Sequence, residues 1–276
     1  MAVRSPLITV MANAALKAAR GLQRDFGEVE QLQVSRKGPA DFVSNADRAA
    51  EQVLVAELSK ARPRYGFLLE EGGEIAGADT SNRWVIDPLD GTTNFLHGVP
   101  HFAISIGLER DGQPFAGVVY DPLRDEMFWA ESGGGAFLNN RRLRVSSRKV
   151  FADALVATGM PFKGRVMHPA YPYMLDSVWG QTAGVRRFGC ASLDLVYVAA
   201  GRFDGFFEFA LSPWDISAGI ALVREAGGAV TDPQGGTQGL AHGDVLASNT
   251  HLHGDLKAAL EDGVRRVPTE SLPSAT

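Results

Sequence analysis

The chain has 276 residues, of which 45% are hydrophobic and 21% are charged, as in an ordinary soluble globular protein. A net charge of -5 excludes a basic field for a polyphosphate backbone, so nucleic acid is not expected as the primary ligand. Cys190 is the only cysteine, which excludes an internal disulfide and fits a reducing compartment. No apolar run approaches the length of a bilayer span, and we expect a cytoplasmic protein without membrane contact.

The N-terminal part of the chain has helical periodicity. Apolar side chains recur every three or four positions, at Leu7, Met11, Ala15, Ala18, Leu22 and Phe26. This spacing predicts an amphipathic first helix rather than a cleaved signal peptide. A second helix is predicted to begin at Ser44, as its capping residue, and to run to about Ala61. The Gly and Pro of residues 35–41 predict a loop before it.

The following segments have the pattern of strands and then of alternating strands and helices. A short apolar segment ends at Leu69, and a strand is predicted over 83–86. Between 101 and 145, short alternating segments separated by turn residues predict an antiparallel meander. After residue 147, strands alternate with helices, which are predicted near 168–179, 191–200 and 215–226 and at the C-terminal end.

These patterns define a mixed fold. The first half is typical of an α+β arrangement and the second half of an α/β arrangement. No internal repeat and no long linker divides them. We predict one compact unit of two subdomains, 1–147 and 148–266, with a cleft between them and a flexible tail over 267–276.

Acidic residues follow apolar runs at several points. In WVIDPLDGTTNF, residues 84–95, Asp87 and Asp90 come directly after a predicted strand, and Glu70 also follows an apolar segment. Asp47 and Asp215 stand near the beginnings of predicted helices. Ordinary explanations exist: an Asx turn for DPLDG, solvated surface for Glu70, and favourable first-turn charges for the other two. Acidic side chains directly after buried strands are nevertheless held on a rigid frame, which suits residues that act as ligands.

Carboxylates without histidine or cysteine predict a hard cation, because oxygen donors suit Mg²⁺, Mn²⁺ or Ca²⁺. Gly91, Thr92 and Thr93 come next in the chain. Backbone N–H groups and hydroxyls at such a position can hold a phosphate. A cation beside a phosphate cradle predicts phosphoryl chemistry.

Two segments resemble the signature motifs of the inositol monophosphatase family. They are residues 84–95, and WDISAG at 214–219 with EAGG at 225–228. The resemblance extends through KGPADFVSNAD at 37–47, Glu70–Glu71 and GCASLD at 189–194, and covers about residues 7 to 265. It implies a layered helix–sheet sandwich of the sugar phosphatase type. Cys190 departs from the small hydroxyl residue or alanine that is usual at its position.

The resemblance implies a shared set of metal ligands. One Mg²⁺ would be held by Glu70, Asp87 and the backbone carbonyl of Leu89. A second would be held by Asp87, Asp90 and Asp215, and a third, weaker ion would lie near Glu70. Two ions about 4 Å apart would generate the nucleophile and stabilise both oxygens of the displacement.

It also implies the catalytic roles. Glu70, together with the pair Asp47 and Thr92, would position and activate the attacking water. The N–H groups of Gly91 and Thr92 would hold the phosphate.

On the substrate side, the resemblance implies that Ala191, Glu208 and Asp215 bind the polyol. Taken without the resemblance, Glu208 is better explained as an exposed strand residue. Lys37 and Asp41 would belong to a mobile loop that closes over the site.

The leading hypothesis is a Mg²⁺-dependent, lithium-sensitive phosphatase that acts on inositol monophosphate as a homodimer. Fructose bisphosphate, histidinol phosphate and a nucleotide 3'-phosphate stay open as substrates. A non-catalytic regulator that binds a phosphorylated ligand is the alternative from another class, and the intact set of acids argues against it. Arg186 and Arg187 would either bind a second phosphate or face the other subunit.

Overall fold

Two β-sheets alternate with three layers of helices in the part of the chain that the structure describes. The computed structural model describes residues 3–32, 39–160 and 168–268, with side chains in these ranges except at 29–32 and 39–44. Among the described helices, none combines the length and the apolar character of a membrane-spanning segment.

Two long helices form the first layer, α1 (Pro6–Leu32) and α2 (Pro39–Ala61). The predicted apolar face of α1 is confirmed, because Leu7, Met11 and Leu22 are buried and Phe26 packs against the same core. The predicted beginning of α2 is wrong. The helix begins at Pro39. The first turn of a helix tolerates a proline, because the N–H groups there have no intrahelical acceptor. Ser44 therefore lies inside the helix.

The larger sheet follows. In chain order its strands are β1 (Tyr65–Leu69), β2 (Gly73–Ile75), β3 (Asp79–Asp90), β4 (Ala103–Arg110), β5 (Gln113–Asp121), β6 (Glu126–Glu131), β7 (Gly135–Leu138) and β8 (Arg141–Arg142). They lie in the order β2-β1-β3-β4-β5-β6-β7-β8. The antiparallel meander from β4 to β8 is confirmed, whereas β1 and β3 are parallel. A short helix, α3 (Thr92–Leu96), connects β3 to β4.

The predicted strand over 83–86 is longer than expected. It extends to Asp90, through Pro88, and its register against β4 shifts between Asp87 and Asp90. Proline lacks the N–H that a regular ladder needs, and a bulge is one of the few places where a strand accepts it.

The second half contains the smaller sheet, whose strands lie in the order β10-β9-β11-β13-β12. The elements are β9 (Leu155–Thr158), α4 (Tyr171–Gln181), β10 (Gly184–Arg186), α5 (Ala191–Ala199), β11 (Gly205–Glu208), α6 (Pro213–Glu225), β12 (Ala229–Thr231), β13 (Val245–Ser248) and α7 (His253–Arg265). The predicted alternation of strand and helix is thereby confirmed. Short 3-10 turns at Phe151–Asp153 and Gly239–His242 were not anticipated.

Alternate side chains of the strands separate the layers, because neighbouring residues of a strand point to opposite faces. In the larger sheet, Ile104 and Ile106 pack against α1 and α2, while Val119 and Phe128 belong to the core around α5 and α6. In the smaller sheet, Phe206 joins that central core and Phe207 packs with α4 and α7. The layers are therefore α1/α2, larger sheet, α5/α6, smaller sheet and α4/α7. The predicted boundary near residue 147 stays a prediction, and the predicted tail lies outside the described residues from 269 onward.

Paired glycines bring α6 close to the larger sheet. Gly107 of β4 and Gly117 of β5 are register partners. A Cβ at Gly107 would lie 2.7 Å from Ser217 Oγ, and one at Gly117 would lie 2.8 Å from Ala218 Cα. Since real Cβ contacts are not this short, α6 rests on bare backbone here.

We predict that Gly117→Ala lowers the free energy of unfolding by about 1–3 kcal/mol, because the added methyl meets the backbone of α6, which cannot move aside cheaply. The control is Gly180→Ala in α4, where a Cβ meets nothing within 4 Å. That change should raise stability by about 0.4–1 kcal/mol. Urea unfolding measures both, and equal effects would refute the close packing at Gly117.

Candidate active site

Two parallel strand ends bring the first acids together. β1 and β3 pair with Leu69 opposite Ile86, and the Glu70 N–H donates to the Ile86 carbonyl at 3.2 Å. Glu70 and Asp87 follow these paired residues, and the charge of Glu70 acts on Asp87. Neighbouring carboxylates repel each other unless a proton or a cation lies between them.

Asp87 is the centre of the acidic cluster. It is buried, and its Oδ1 accepts a hydrogen bond from the Leu89 N–H at 2.8 Å. Burial, followed by the charges of Glu70, Asp90 and Asp215, raises its pKa well above the usual value. Burial also raises the pKa of Glu70. The cluster therefore resists carrying all its negative charges without a compensating cation.

Asp90 is held from the other half of the chain. Its Oδ2 accepts hydrogen bonds from the Ser192 N–H at 2.7 Å and from Cys190 Sγ at 3.1 Å, at the beginning of α5. Cys190 is itself buried and contacts the acidic cluster directly. A contact across 100 residues of chain has no local signature in the sequence.

Asp215 lies in the first turn of α6, which begins two residues earlier than Asp215, at Pro213. Its Oδ2 accepts a hydrogen bond from the Ser212 N–H at 2.7 Å, as part of a capping box with Ser212. Ser105 Oγ donates to the Trp214 carbonyl at 3.2 Å and ties this turn to β4. The predicted structural role of Asp215 at a helix beginning is thus confirmed, and it does not conflict with a place beside the other acids.

Asp47 is not a helix-cap residue, because α2 begins eight residues before it. The side chain is only 3% exposed, and its Oδ1 makes no hydrogen bond with any described residue. Burial, followed by the charges of Glu70, Glu71 and Glu51, raises its pKa to about 8. Lys37 lies outside the described residues. Asp41 lies in helical backbone near the beginning of α2, so the predicted loop does not extend over it.

The turn after the acids brings the backbone close to the cleft. Gly91 has φ of 96°, a left-handed conformation, and a Cβ there would lie 3.0 Å from the His101 carbonyl oxygen. Glycine is therefore required at this point. Thr92 Oγ1 donates to the Leu89 carbonyl at 3.0 Å, which fixes the hydroxyl beside the expected metal ligand.

A cleft of about 550 Å³ collects most of the predicted site residues: Glu70, Asp87, Leu89, Asp90, Gly91, Thr92, Ala191, Glu208 and Asp215 all line it. Asp47 is not on this wall but lies buried within the charge field of Glu70. Arg187, a predicted candidate for a second phosphate, also lines the cleft, whereas the sequence analysis missed further lining residues, among them Gly159, His168, Tyr171 and Asp244. They come from separate segments of the second half, and no shared pattern in the sequence connects them. The functional roles of all these residues stay predictions.

The donors fit a hard divalent cation. They are carboxylates and one carbonyl, and two buried carboxylate oxygens, Asp47 Oδ1 and Glu70 Oε2, make no hydrogen bond with described residues. No group of three His, Cys, Asp or Glu side chains in the described ranges is spaced to hold a metal as it lies.

Comparison with known proteins gives the family. The profile of the inositol monophosphatase family matches residues 3–265, and the chain belongs to this family. Inositol-1-monophosphatase of Rhizobium meliloti is 55% identical to it, over 97% of this chain and 99% of that protein. Nus factor SuhB of Pseudomonas aeruginosa is 49% identical, over 89% of this chain and 92% of that protein.

The fold is confirmed by solved structures. The extragenic suppressor protein SuhB of Bartonella henselae is similar with a TM-score of 0.86 and 54% identity, over 93% of this chain and 99% of that one. The layered helix–sheet sandwich expected from the resemblance is therefore correct.

The acidic cluster predicts an unusual dependence of stability on charge. Asp87→Asn should raise the free energy of unfolding in metal-free buffer at pH 8 by about 0.5–2 kcal/mol, because it removes repulsion in a cluster suited to cations. The matched control is Asp121→Asn. Asp121 is also a buried strand-end acid, but it accepts hydrogen bonds from Leu123 N and from Arg124, so its loss should destabilise.

The pH dependence of stability follows from the same cluster. The pKa of Asp47 in the folded protein, about 8, lies above the ordinary value of 3.8. Folding therefore favours the protonated acid, and metal-free stability should fall as the pH rises from about 4 to about 8. Thermal unfolding in chelator checks this trend, and Asp47→Asn should flatten it. A decrease in stability as the pH is lowered across this range would contradict the raised pKa of Asp47.

Proposed function

We propose that this protein hydrolyses inositol monophosphate to inositol and inorganic phosphate, with Mg²⁺ held by the carboxylate cluster. The observation that carries the proposal is the convergence of Glu70, Asp87, Asp90 and Asp215 on one cleft, which Glu208 lines from the other sheet. Membership of the inositol monophosphatase family supports the same substrate class. We further propose that the enzyme works as a lithium-sensitive homodimer in the cytoplasm.

We propose the metal ligands that the family resemblance implies. Glu70, Asp87 and the Leu89 carbonyl would hold one ion and Asp87, Asp90 and Asp215 a second, with a third weaker ion near Glu70. When bound, Mg²⁺ supplies an activated water and neutralises charge on the phosphate. Asp87 is suited to the shared position because the charges of Glu70, Asp90 and Asp215 all act on it.

The residues of the chain then divide the remaining work. Glu70, together with the pair Asp47 and Thr92, would position and activate the attacking water, and the N–H groups of Gly91 and Thr92 would hold the phosphate. Support comes from the Thr92 hydroxyl, which is fixed on the Leu89 carbonyl, and from α2, which packs against α3 and so brings the two elements that carry Asp47 and Thr92 into contact. Ala191, Glu208 and Asp215 would bind the polyol.

A second candidate substrate is a bisphosphate. Arg187 lines the cleft and donates to the Met160 carbonyl at 3.3 Å, whereas Arg186 bonds only to the neighbouring Val185 carbonyl among described groups. A guanidinium on the cleft wall suits a second phosphate. Release of phosphate from fructose bisphosphate at a rate above that from inositol monophosphate would favour this candidate.

A regulatory role without catalysis is the candidate from another class, and the name Nus factor carried by some relatives keeps it in view. The set Asp47, Glu70, Asp87, Asp90 and Asp215 argues for catalysis. A protein that only binds a ligand has no need for buried carboxylates that destabilise it.

Metal dependence tests the proposal directly. Phosphate release from inositol monophosphate should vanish in chelator and return with Mg²⁺, because the acids alone cannot neutralise the phosphate. High Ca²⁺ should inhibit, since its looser coordination does not impose the octahedral geometry of Mg²⁺. Full turnover in chelator would refute the mechanism.

The water-orienting pair gives a second test. Thr92→Val and Asp47→Asn should each lower kcat by about 100-fold or more, and the double variant should lose little beyond the worse single change. Thr80→Val, an exposed threonine of the same strand that carries Asp87, is the control and should keep full activity. Multiplying losses would show that Asp47 and Thr92 act independently.

A further inference from the structure

The carboxylate of Glu208 lies against a glycine on the neighbouring strand. β9 and β11 are parallel, with Ala157 opposite Phe206 and Thr158 opposite Phe207. Continuing this register places Gly159 beside Glu208, and residues that are neighbours across a sheet point to the same face. Both residues line the cleft.

A side chain at position 159 would occupy the place of that carboxylate. A Cβ built on Gly159 would overlap Cδ and both carboxylate oxygens of Glu208, far inside the 3.0 Å that real Cβ contacts keep. The three atoms nearest to this Cβ all belong to the carboxyl group of Glu208, and none of them is a backbone atom. The conflict is therefore between a side chain at 159 and the position of one carboxylate.

The backbone at Gly159 is fixed and cannot yield instead. The buried Tyr171 hydroxyl donates to the Gly159 carbonyl at 2.6 Å. Thr158, which is 1% exposed, donates through Oγ1 to the Phe207 carbonyl at 2.7 Å and lies 3.0 Å from the Tyr171 hydroxyl. These bonds connect β9, β11 and α4 around the glycine, so Glu208 is the partner that has to move.

We infer that Gly159 is a specificity-determining residue, and that Tyr171 is a positioning residue which holds it in place. The absent side chain leaves room for the Glu208 carboxylate against β9, on the wall of the cleft that would hold the polyol. This inference rests on the proposed function and extends it, because it makes polyol recognition depend on a residue that touches neither metal nor phosphate.

An alanine at this position is compatible with the fold. The φ angle of Gly159 is outside the left-handed region, so a side chain brings no backbone strain. The atoms it meets belong to the flexible end of a glutamate, which can rotate into the cleft. The expected loss therefore falls on substrate discrimination and spares the stability of the sheet.

The experiment compares kcat/KM for inositol 1-phosphate with kcat/KM for p-nitrophenyl phosphate, which offers no hydroxyl groups to Glu208. In Gly159→Ala the ratio of the two should fall by about 10- to 100-fold, because charged hydrogen bonds to the polyol are lost. Glu208→Ala should lower the ratio by a similar factor. The double variant should fall no further than the worse single change, since both act on the same carboxylate.

Two more variants complete the design. Gly180→Ala, the open-space glycine of α4, is the control and should leave the ratio unchanged. Tyr171→Phe removes the hydroxyl that holds the Gly159 carbonyl and should lower the ratio by about 3- to 10-fold. If Gly159→Ala does not fold, Tyr171→Phe becomes the test of the inference. An unchanged ratio of the two kcat/KM values in Tyr171→Phe would then overturn it.

The remaining outcomes separate this inference from the proposed function. A wild-type preference for inositol 1-phosphate that Gly159→Ala retains would overturn the inference alone. Losses of Gly159→Ala and Glu208→Ala that multiply in the double variant would also overturn it. Turnover of neither ester by the wild-type protein with Mg²⁺ would overturn the proposed function and the inference together.

Discussion

The repulsion between buried carboxylates is the constraint on which the rest of this structure depends. Asp87 has neighbouring charges from Glu70, Asp90 and Asp215 and is withdrawn from water. Charged groups without solvent or a counter-charge are among the costliest features of a protein interior. A fold that keeps several of them together needs a rigid frame around them, and the five layers supply it. Asp87, Asp90 and Asp215 each accept a backbone hydrogen bond, whereas Glu70 is placed by the pairing of β1 with β3.

The two sheets contribute different parts of the cleft. The larger sheet carries Glu70, Asp87 and Asp90 and the turn at Gly91, at the ends of β1 and β3, while the smaller sheet carries Glu208 and its support at the ends of β9 and β11. Under the proposed function, chemistry belongs to one sheet and recognition of the alcohol to the other. A change in the second sheet can then alter the substrate without disturbing the metals, which suits a fold in which one reaction serves different phosphate esters.

The sequence was most informative where a local pattern has a direct physical cause. Alternation predicted the meander, and acids placed after apolar runs predicted the carboxylate cluster at Asp87 and Asp90. It was misleading where two residues compete for the same role: Ser44 has the chemistry of a cap, yet Pro39 begins the helix. The strand over 83–86 was predicted too short, because the bulge that accommodates Pro88 depends on the partner strand, which a local pattern does not show. Contacts such as Cys190 with Asp90, or Gly159 with Glu208, join distant segments, and only the packed fold shows them.

The bond between Asp90 and the beginning of α5 reaches across 102 positions of the chain. One acid of the cluster is thus fastened to the layer between the sheets, while its neighbours Glu70 and Asp87 belong to the larger sheet alone. A cation shared among them would therefore fasten separate layers to one another, and local opening of either would require its release. Amide protons at the beginning of α5, far along the chain from Glu70 and Asp87, would then exchange with solvent more slowly when the cation is bound. In this sense the ion would be a structural cross-link as well as a reagent.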